Sequence, residues 1–339
     1  MTIFISIASY RDPLLKFTLL EAYNNAANKD SIVFGVVEQQ IKEEALDLNS
    51  IPFQKQIRYV RIEPEQSRGC CWARSLIQSL YRDETYYFQI DSHTAFDENW
   101  DTTLITHLEN LRRYHTKPVI AGYPHALKFD ENNNPIKKHP VYTTQVHPFI
   151  VPTQPNGVVF GGGTGRHIRG GESLVNTPAE AVHAFMIAAG GLFTLGGVVE
   201  EVPYDPFILF EGEEPSFALR LWTNGWNIFH IKVLPFFHLY TEHDKTPRTL
   251  FWNEGEDQKR NFTWSDISLR SIDRLNKVLV GELYGVYGLG CKRSLEDFKR
   301  WSGVDYTNRV YEPTNIWKVD MTMSPDEYLS QACSGLTKS

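Results

Sequence analysis

Residues 86–93, Tyr86-Tyr87-Phe88-Gln89-Ile90-Asp91-Ser92-His93, decide how this chain is read: a strongly apolar strand delivers an acid and an imidazole two positions apart. Side chains of an extended chain alternate between faces, so Asp91 and His93 project to the same side and can reach one point. In open α/β sheets the carboxyl end of a strand is where ligands bind. A mixed carboxylate and imidazole set suits Mn²⁺ or a related divalent ion, and such an ion bridging two phosphates neutralises a departing diphosphate. A strand-end Asp that caps a helix beside a solvated His would give the same pattern. Spacing alone leaves both readings open.

Working outward, short apolar runs alternate with segments of helical period. Thr2 to Ser9 reads as a strand, and Leu15, Leu19, Ala22 and Ala26 then share one helical face. Ser31 to Val37 and Ile57 to Ile62 read as the second and third strands, with Ala73, Leu76, Ile77 and Leu80 as the next helical stripe. Thr85 to Ile90 is the fourth strand, followed by a helix through Leu104, Ile105, Leu108 and Leu111 and a strand from Val119 to Tyr123. This alternation predicts parallel strands with crossover helices, an α/β sheet of nucleotide-binding type.

Residues 124–180 differ: they are polar, with Pro, Asn and Gly throughout, and predict a loop-rich insertion acting as a functional lid. Regular structure resumes with Ala184 to Thr194. A helix starts at Glu213-Glu214-Pro215 and is closed by Gly225, and a strand from Trp226 to Leu234 runs into Pro235-Phe236-Phe237-His238. Beyond Thr246 the chain is charged and helical in pattern, with Trp252, Trp264, Tyr284, Tyr287 and Trp301. It shows no internal repeat and no low-complexity tract.

Composition bounds the partners. The 339 residues are 42% hydrophobic, 13% aromatic and 22% charged, as expected of a soluble globular protein with one large or two modest domains. Lys and Arg total 34 against 41 Asp and Glu, and the net charge of -7 disfavours a broad grip on nucleic acid or anionic membrane. A local basic pocket for a small anion is compatible with that balance. Of four cysteines, Cys70 and Cys71 are adjacent and Cys291 and Cys333 distant, which is neither a disulfide framework nor CxxC zinc spacing and fits a reducing cytosol. The opening MTIFISIASYRDP lacks a basic n-region and meets Tyr10-Arg11-Asp12-Pro13 early, so it reads as a buried strand rather than a signal segment or membrane span.

Further stretches carry candidate chemistry. His238 follows an apolar strand and precedes Tyr240, His243, Lys245 and Arg248. If its strand end lies beside that of Asp91 it completes a three-residue metal site, with Lys245 and Arg248 facing phosphate oxygens; taken alone, its position favours a core histidine beside a solvated basic turn. Ser9-Tyr10-Arg11-Asp12 ends the first strand, where a Rossmann-like sheet meets a nucleotide base. Neither GxGxxG nor GxxxxGK[ST] is present, and Gly161 to Gly165 with Arg166 reads as a flexible loop. Arg68 to Arg74 opens a helix whose free amides and cation could hold a diphosphate, or simply ends in a surface arginine. Gly190-Gly191 allows close backbone approach to a ligand, as a plain strand bulge also would. Glu211, Glu213 and Glu214 either complement a helix dipole or read sugar hydroxyls.

Together these stretches resemble a glycosyltransferase of the GT-A fold, and more narrowly the hydroxyproline-modifying N-acetylglucosaminyltransferases known from cytoplasmic Skp1 glycosylation. The matching stretches are IFISIASYRDP, RGCCWAR, YYFQIDSHTAF with Trp100-Asp101, GGLF with Tyr204-Asp205-Pro206, EGEEPSFALRLWTNGW and YGLGCKRSLEDFKRWSGVDY. The chain is more distantly similar to polypeptide N-acetylgalactosaminyltransferases, which share the Asp-Ser-His motif, the GGLF turn and a GGE helix start. This chain has Glu211 where those relatives have the first Gly of that helix start, so the sugar pocket is expected to differ.

The resemblance implies a Rossmann-like mixed sheet flanked by helices over residues 1–245 and a mostly helical extension over 246–339 that closes over the site. It also implies Mn²⁺ held by Asp91, His93 and His238. Ser92 and the Ser9 to Asp12 turn would hold uridine and ribose, and Glu213 would face the sugar. The expected reaction is retaining transfer of N-acetylglucosamine from UDP-GlcNAc to an acceptor hydroxyl of a protein or glycan, in the cytoplasm. Arg74 would stabilise the departing UDP electrostatically, and Glu213, Glu214 and Arg74 are the candidates for catalytic contacts. A homo-oligomer is compatible with the sequence. A sugar nucleotidyltransferase and a non-catalytic carbohydrate-binding protein are the competing readings.

Overall fold

The computed structural model describes residues 1–139, 143–152, 166–175, 179–240 and 248–335. Its centre is an eight-stranded mixed sheet built on β1 (Ile3–Tyr10), whose two faces are both covered, which is why its sequence is apolar almost without interruption. α1 (Leu15–Asn25) leads to β2 (Ile32–Gln39) and β3 (Ile57–Ile62), then α2 (Cys70–Gln78) returns the chain to β4 (Tyr86–Asp91). These four strands run parallel in the order β4, β1, β2, β3.

After β5 (Thr94–Phe96), α3 (Trp100–Arg112) and β6 (Pro118–Ala121), the polar region holds more strands than its composition predicts. β7 (His125–Phe129) and β8 (Pro135–Lys137) pair antiparallel, and β9 (Thr143–Pro152) pairs with β10 (Arg166–Val175). The expectation of a loop-rich insertion over 124–180 is corrected to that extent. β7 and β8 are three to five residues long, so the Pro, Asn and Gly around them dominate any window used to read the sequence. Gly161 to Gly165 lie outside the described residues.

β11 (Ala181–Ala184) and β12 (Gly191–Leu195) re-enter the main sheet, and β12 inserts antiparallel between β4 and β6. A short α4 (Val198–Glu201) precedes α5 (Glu213–Thr223), which Gly225 ends at φ +86°, a conformation suited to glycine. β13 (Asn227–Ile231) joins the main sheet, whereas β14 (Phe236–His238) sits in a second, four-stranded sheet between β5 and β7.

The C-terminal part contains α6 (Glu254–Asp257), α7 (Trp264–Leu279), α8 (Leu295–Ser302), the strand pair β15 (Val304–Asp305) and β16 (Val310–Tyr311), and α9 (Pro325–Gly335). Ser294 and Asp297 form a reciprocal capping box at the start of α8. Leu275 and Leu279 of α7 and Phe298 and Trp301 of α8 share one buried core with Phe217 and Trp222 of α5. Arg293 adds a polar clamp. Its guanidinium meets both carboxylate oxygens of Asp326 at 2.8 and 2.9 Å and Asn227 Oδ1 at 2.7 Å, and donates to the carbonyls of Trp222 and Trp226. Among the described residues no helix is long and apolar enough to cross a membrane.

Candidate active site

Strand register assembles the site. Ala8 of β1 lies opposite Asp91 of β4, so the Ser9 to Asp12 turn emerges beside the acid. Gly191 lies opposite Ile90, which puts Gly190 against the same carboxylate. In the second sheet His238 lies opposite Thr94, and the Leu239 amide donates to the His93 carbonyl at 3.1 Å. Four chain segments therefore meet at the carboxyl end of β4, where Asp91 and His238, 147 residues apart, come together.

There His93 Nε2 is 2.8 Å from His238 Nε2, and His238 Nε2 is 3.1 Å from Asp91 Oδ2. Asp91, His93 and His238 each offer a ligand atom, all within 4.8 Å of one another. Two imidazole nitrogens facing each other at that distance need a shared proton or a shared cation between them. The set of one carboxylate and two imidazoles fits a divalent ion such as Mn²⁺.

The supporting groups strengthen that fit. Asp12 Oδ2 is 2.6 Å from His93 Nδ1 and accepts from Ser92 Oγ at 2.7 Å, while Oδ1 accepts from the Leu14 amide at 2.9 Å. Burial works to raise the Asp12 pKa, but the His93, Ser92 and Leu14 contacts outweigh it and hold the carboxyl below its usual value. An ionised Asp12 fixes the proton on His93 Nδ1 and leaves the Nε2 lone pair for a ligand. Burial also lowers the His238 pKa, with Asp91 pulling the other way, so this imidazole is neutral at pH 7 as a metal ligand must be. The Asp91 carboxyl is half-buried, and against the cost of that enclosure His238 and the Arg74 charge hold it well below the ordinary range.

Arg74 is 3% exposed. It donates to Asp91 Oδ1 and to the Ala189 carbonyl, each at 2.7 Å, and its Nε stands 3.0 Å from Glu213 Oε1. Burial opposes its charge, but Glu213, Tyr204 and Asp91 outweigh that and keep it a fixed cation. Gly190 has a specific reason to be glycine: a Cβ there would lie 2.7 Å from Asp91 Oδ2.

These groups line a cavity of about 660 Å³. Asp91, Ser92, His93 and His238 form its floor, with Ala8, Tyr10, Asp12, Arg74 and Gly190 beside them. Glu213 and Glu214, in the first turn of α5, form one wall. Glu214 accepts from the Ala189 amide at 3.0 Å and from Tyr123 Oη at 2.9 Å, and burial pushes its carboxyl up to about 7 against those two contacts. Leu250, Phe251, Trp252 and Trp264 of the C-terminal part also line it, with Tyr10 edge-on to Phe251 at 5.4 Å.

The expected site residues do not all face this space. Ser9 is fully buried and lies outside the lining. Arg11, also outside it, turns away with φ +45° to meet Glu256 at 2.9 Å. Ser92 lines the floor, but its hydroxyl is directed to Asp12. Gly191 packs in β12, where a Cβ would meet the Phe236 ring at 2.7 Å. Arg248 reaches the cavity, donates to the Leu239 carbonyl at 2.9 Å and lies 3.6 Å from Asp12. Lys245 and His243 fall outside the described residues, and nothing is described of the Glu211 side chain. Sequence reasoning missed Tyr123, although it follows an apolar strand in the same way as Asp91. It also missed the role of Asp12 as partner of His93, for which no spacing rule exists.

The architecture is that of the GT-A glycosyltransferases. A solved structure of GalNAc-T7 with UDP, GalNAc and Mn²⁺ matches 99% of this chain at a TM-score of 0.54 and 14% identity, and this chain spans 57% of that one. TarS 1–349 of S. aureus matches 70% of this chain, 60% of its own length, at a TM-score of 0.43 and 10% identity. No curated protein matches the chain. The family model described as glycosyltransferase (GlcNAc) matches residues 2–52 and 44–308, and the chain belongs to that family.

Proposed function

We propose that this chain is a metal-dependent, retaining glycosyltransferase that moves N-acetylglucosamine from UDP-GlcNAc to an acceptor hydroxyl. The observation that carries the reading is the convergence of Asp91, His93 and His238 on the floor of a cavity large enough for a nucleotide sugar. The similar fold of GalNAc-T7, solved with UDP, GalNAc and Mn²⁺, supports a UDP-sugar donor and a divalent cation.

Asp91, His93 and His238 would hold the cation, which when bound supplies positive charge against the diphosphate as the glycosidic bond ionises. Arg74 acts as a positioning residue, since its guanidinium is already engaged by Asp91, Ala189 and Glu213. Glu213 and Glu214 face the sugar hydroxyls from the start of α5. Tyr10 and Phe251, in edge contact with each other, offer an apolar surface for the uracil, and Asp12 and Ser92 brace the metal ligands rather than bind the ribose. In a front-face reaction the leaving phosphate accepts the acceptor proton, so no separate general base is needed.

Residues 1–245 form the donor-binding part in this reading, and 246–339 an extension that walls the cavity. The resemblance to Skp1-type enzymes supports a cytoplasmic hydroxyproline acceptor. Incubation with Mn²⁺ and a panel of UDP-sugars tests the proposal. UDP release should be fastest from UDP-GlcNAc, vanish in Asp91→Ala and yield an α-linked product by NMR. Pyrophosphate release from UTP and sugar phosphate would make the chain a nucleotidyltransferase. Sugar binding indifferent to Mn²⁺ and UDP, with no turnover, would make it a carbohydrate-binding protein.

A further inference from the structure

A second set of donor atoms lies beside the first, linked to it by Arg74, which contacts both Asp91 and Glu213. At the start of α2, Cys70 Sγ is 3.9 Å from Cys71 Sγ and 3.3 Å from Glu213 Oε2, and one ligand atom from each of the three residues falls within 4.8 Å of the others. Both thiols are free. With metal–sulfur bonds of about 2.3 Å and metal–oxygen bonds of about 2.0 Å, tetrahedral coordination separates two thiolates by roughly 3.8 Å and a thiolate from a carboxylate oxygen by roughly 3.5 Å. The observed separations are close to those edges.

Two further features suit an ion here. Glu213 divides its oxygens: Oε1 lies 3.0 Å from Arg74 Nε, which leaves Oε2 turned to the thiols, an arrangement in which a neighbouring cation orients a ligand carboxylate. Burial pushes the Cys71 thiol pKa up, so without an ion it stays protonated; on binding, a divalent cation would displace the two thiol protons and offset the two thiolates, while Glu213 is paired with Arg74. Cys70 and Glu213 both line the cavity, so the fourth coordination position opens to solvent.

We infer that Cys70, Cys71 and Glu213 form a second cation site, selective for a soft divalent ion such as Zn²⁺ or Cd²⁺. Paired thiolates prefer such ions over Mn²⁺ or Mg²⁺, which the Asp91 trio and oxygen-rich sites accept. Because Glu213 also faces the proposed donor sugar, a soft ion at this site blocks donor binding. That consequence rests on the proposed function, whereas the site itself does not.

The test is titration of the EDTA-treated full chain with Cd²⁺, following the near-ultraviolet thiolate-to-cadmium charge-transfer band. The band should saturate at one ion per chain, survive in Asp91→Asn and in the Cys291→Ser/Cys333→Ser double variant, and form at least about tenfold more weakly in Cys70→Ser. In the wild-type chain, Cd²⁺ or Zn²⁺ but not Mn²⁺ should slow iodoacetamide alkylation of Cys70 mapped by mass spectrometry, a readout that does not depend on a variant folding. A band unchanged in Cys70→Ser, a band lost in Asp91→Asn, or alkylation indifferent to Cd²⁺ would overturn the assignment. A Cys70-dependent band in a chain that turns over no UDP-sugar supports the site while refuting the donor reading.

Discussion

Replacing Asp12 with Asn tests whether the histidines are held as metal ligands by the groups behind them. Asp12 accepts three hydrogen bonds, from His93 Nδ1 and Ser92 Oγ on Oδ2 and from the Leu14 amide on Oδ1, with the Arg248 charge 3.6 Å from Oδ2. An asparagine has one acceptor oxygen and one amino group, so either orientation sets donors face to face, at Leu14 or at His93. If the amino group faces His93, the ring proton moves to Nε2, the atom that stands 2.8 Å from His238. A protonated Nε2 cannot ligate. Loss of a supporting carboxylate of this kind lowers metal affinity about 10- to 100-fold, or roughly 1.4 to 2.7 kcal/mol. Isothermal titration of Mn²⁺ into Asp12→Asn and wild-type protein measures this directly, with UDP-GlcNAc turnover followed against Mn²⁺ concentration in parallel. The expected result is a rightward shift of both curves by that factor, with turnover partly restored at high Mn²⁺. Unchanged Mn²⁺ affinity in a folded Asp12→Asn protein would refute the argument that Asp12 sets the His93 tautomer.

Other outcomes follow from the same geometry. Saturating Mn²⁺ should raise the melting temperature of the wild-type chain but not of Asp91→Ala or His238→Ala, with about 4 kcal/mol of stabilisation when the ion is a thousandfold above its Kd. Gly190→Ala should weaken Mn²⁺ binding while leaving the far-ultraviolet circular dichroism unchanged, because its Cβ displaces only the Asp91 carboxylate. Arg293→Met should cost about 2 to 6 kcal/mol in urea unfolding, since it leaves Asn227 Oδ1 and the Trp226 carbonyl without this donor at about 1 to 3 kcal/mol each, whereas the Trp222 carbonyl keeps the Gly225 amide. Asp326→Asn should cost less, because Arg293 keeps its bonds to Asn227 and the two carbonyls, the new amide oxygen can retain one contact, and the 63% exposed position admits water to the other; equal losses in the two variants would contradict this account. Arg293 holds the Asp326 carboxyl below its usual value, so the small advantage of wild type over Asp326→Asn should be present at neutral pH and fade as pH falls below about 4.

Up to residue 121 the strands and helices other than the three-residue β5 were legible because each is long enough for its period to show, and Ile57 to Ile62 matches β3 residue for residue. β7 and β8 were not, being short and set among turn residues. At the site, alternation led to the pairing of Asp91 with His93, but β4 ends at Asp91 and it is a turn at Ser92-His93, not an extended strand, that brings the imidazole round. His238 could be joined to them only through the family resemblance, because no periodicity predicts that β14 pairs with β5. The sequence suggested that the Ser9 to Asp12 turn faces a ligand, but a strand end curls, and here Ser9 is enclosed while Arg11 swings out to Glu256. The engagement of Arg74 by carboxylates was equally hidden. It depends on α2 and α5 starting at the same corner of the sheet, a matter of tertiary packing.

The three-residue strand β14 has a consequence for how the protein completes itself. Its ladder pairs Phe236 with Phe96 and His238 with Thr94, and Phe236 and Phe237 are both buried. A slip of one residue would reverse which side chains face the cavity and carry the imidazole away from Asp91. If Asp91, His93 and His238 hold a cation as proposed, its binding would report whether residues 236–238 have docked in register, some 145 residues after His93 was placed. A one-residue deletion between Ile231 and Phe236 should thus leave the main sheet able to form while abolishing the ion site, and metal uptake during refolding should be among the last events to finish.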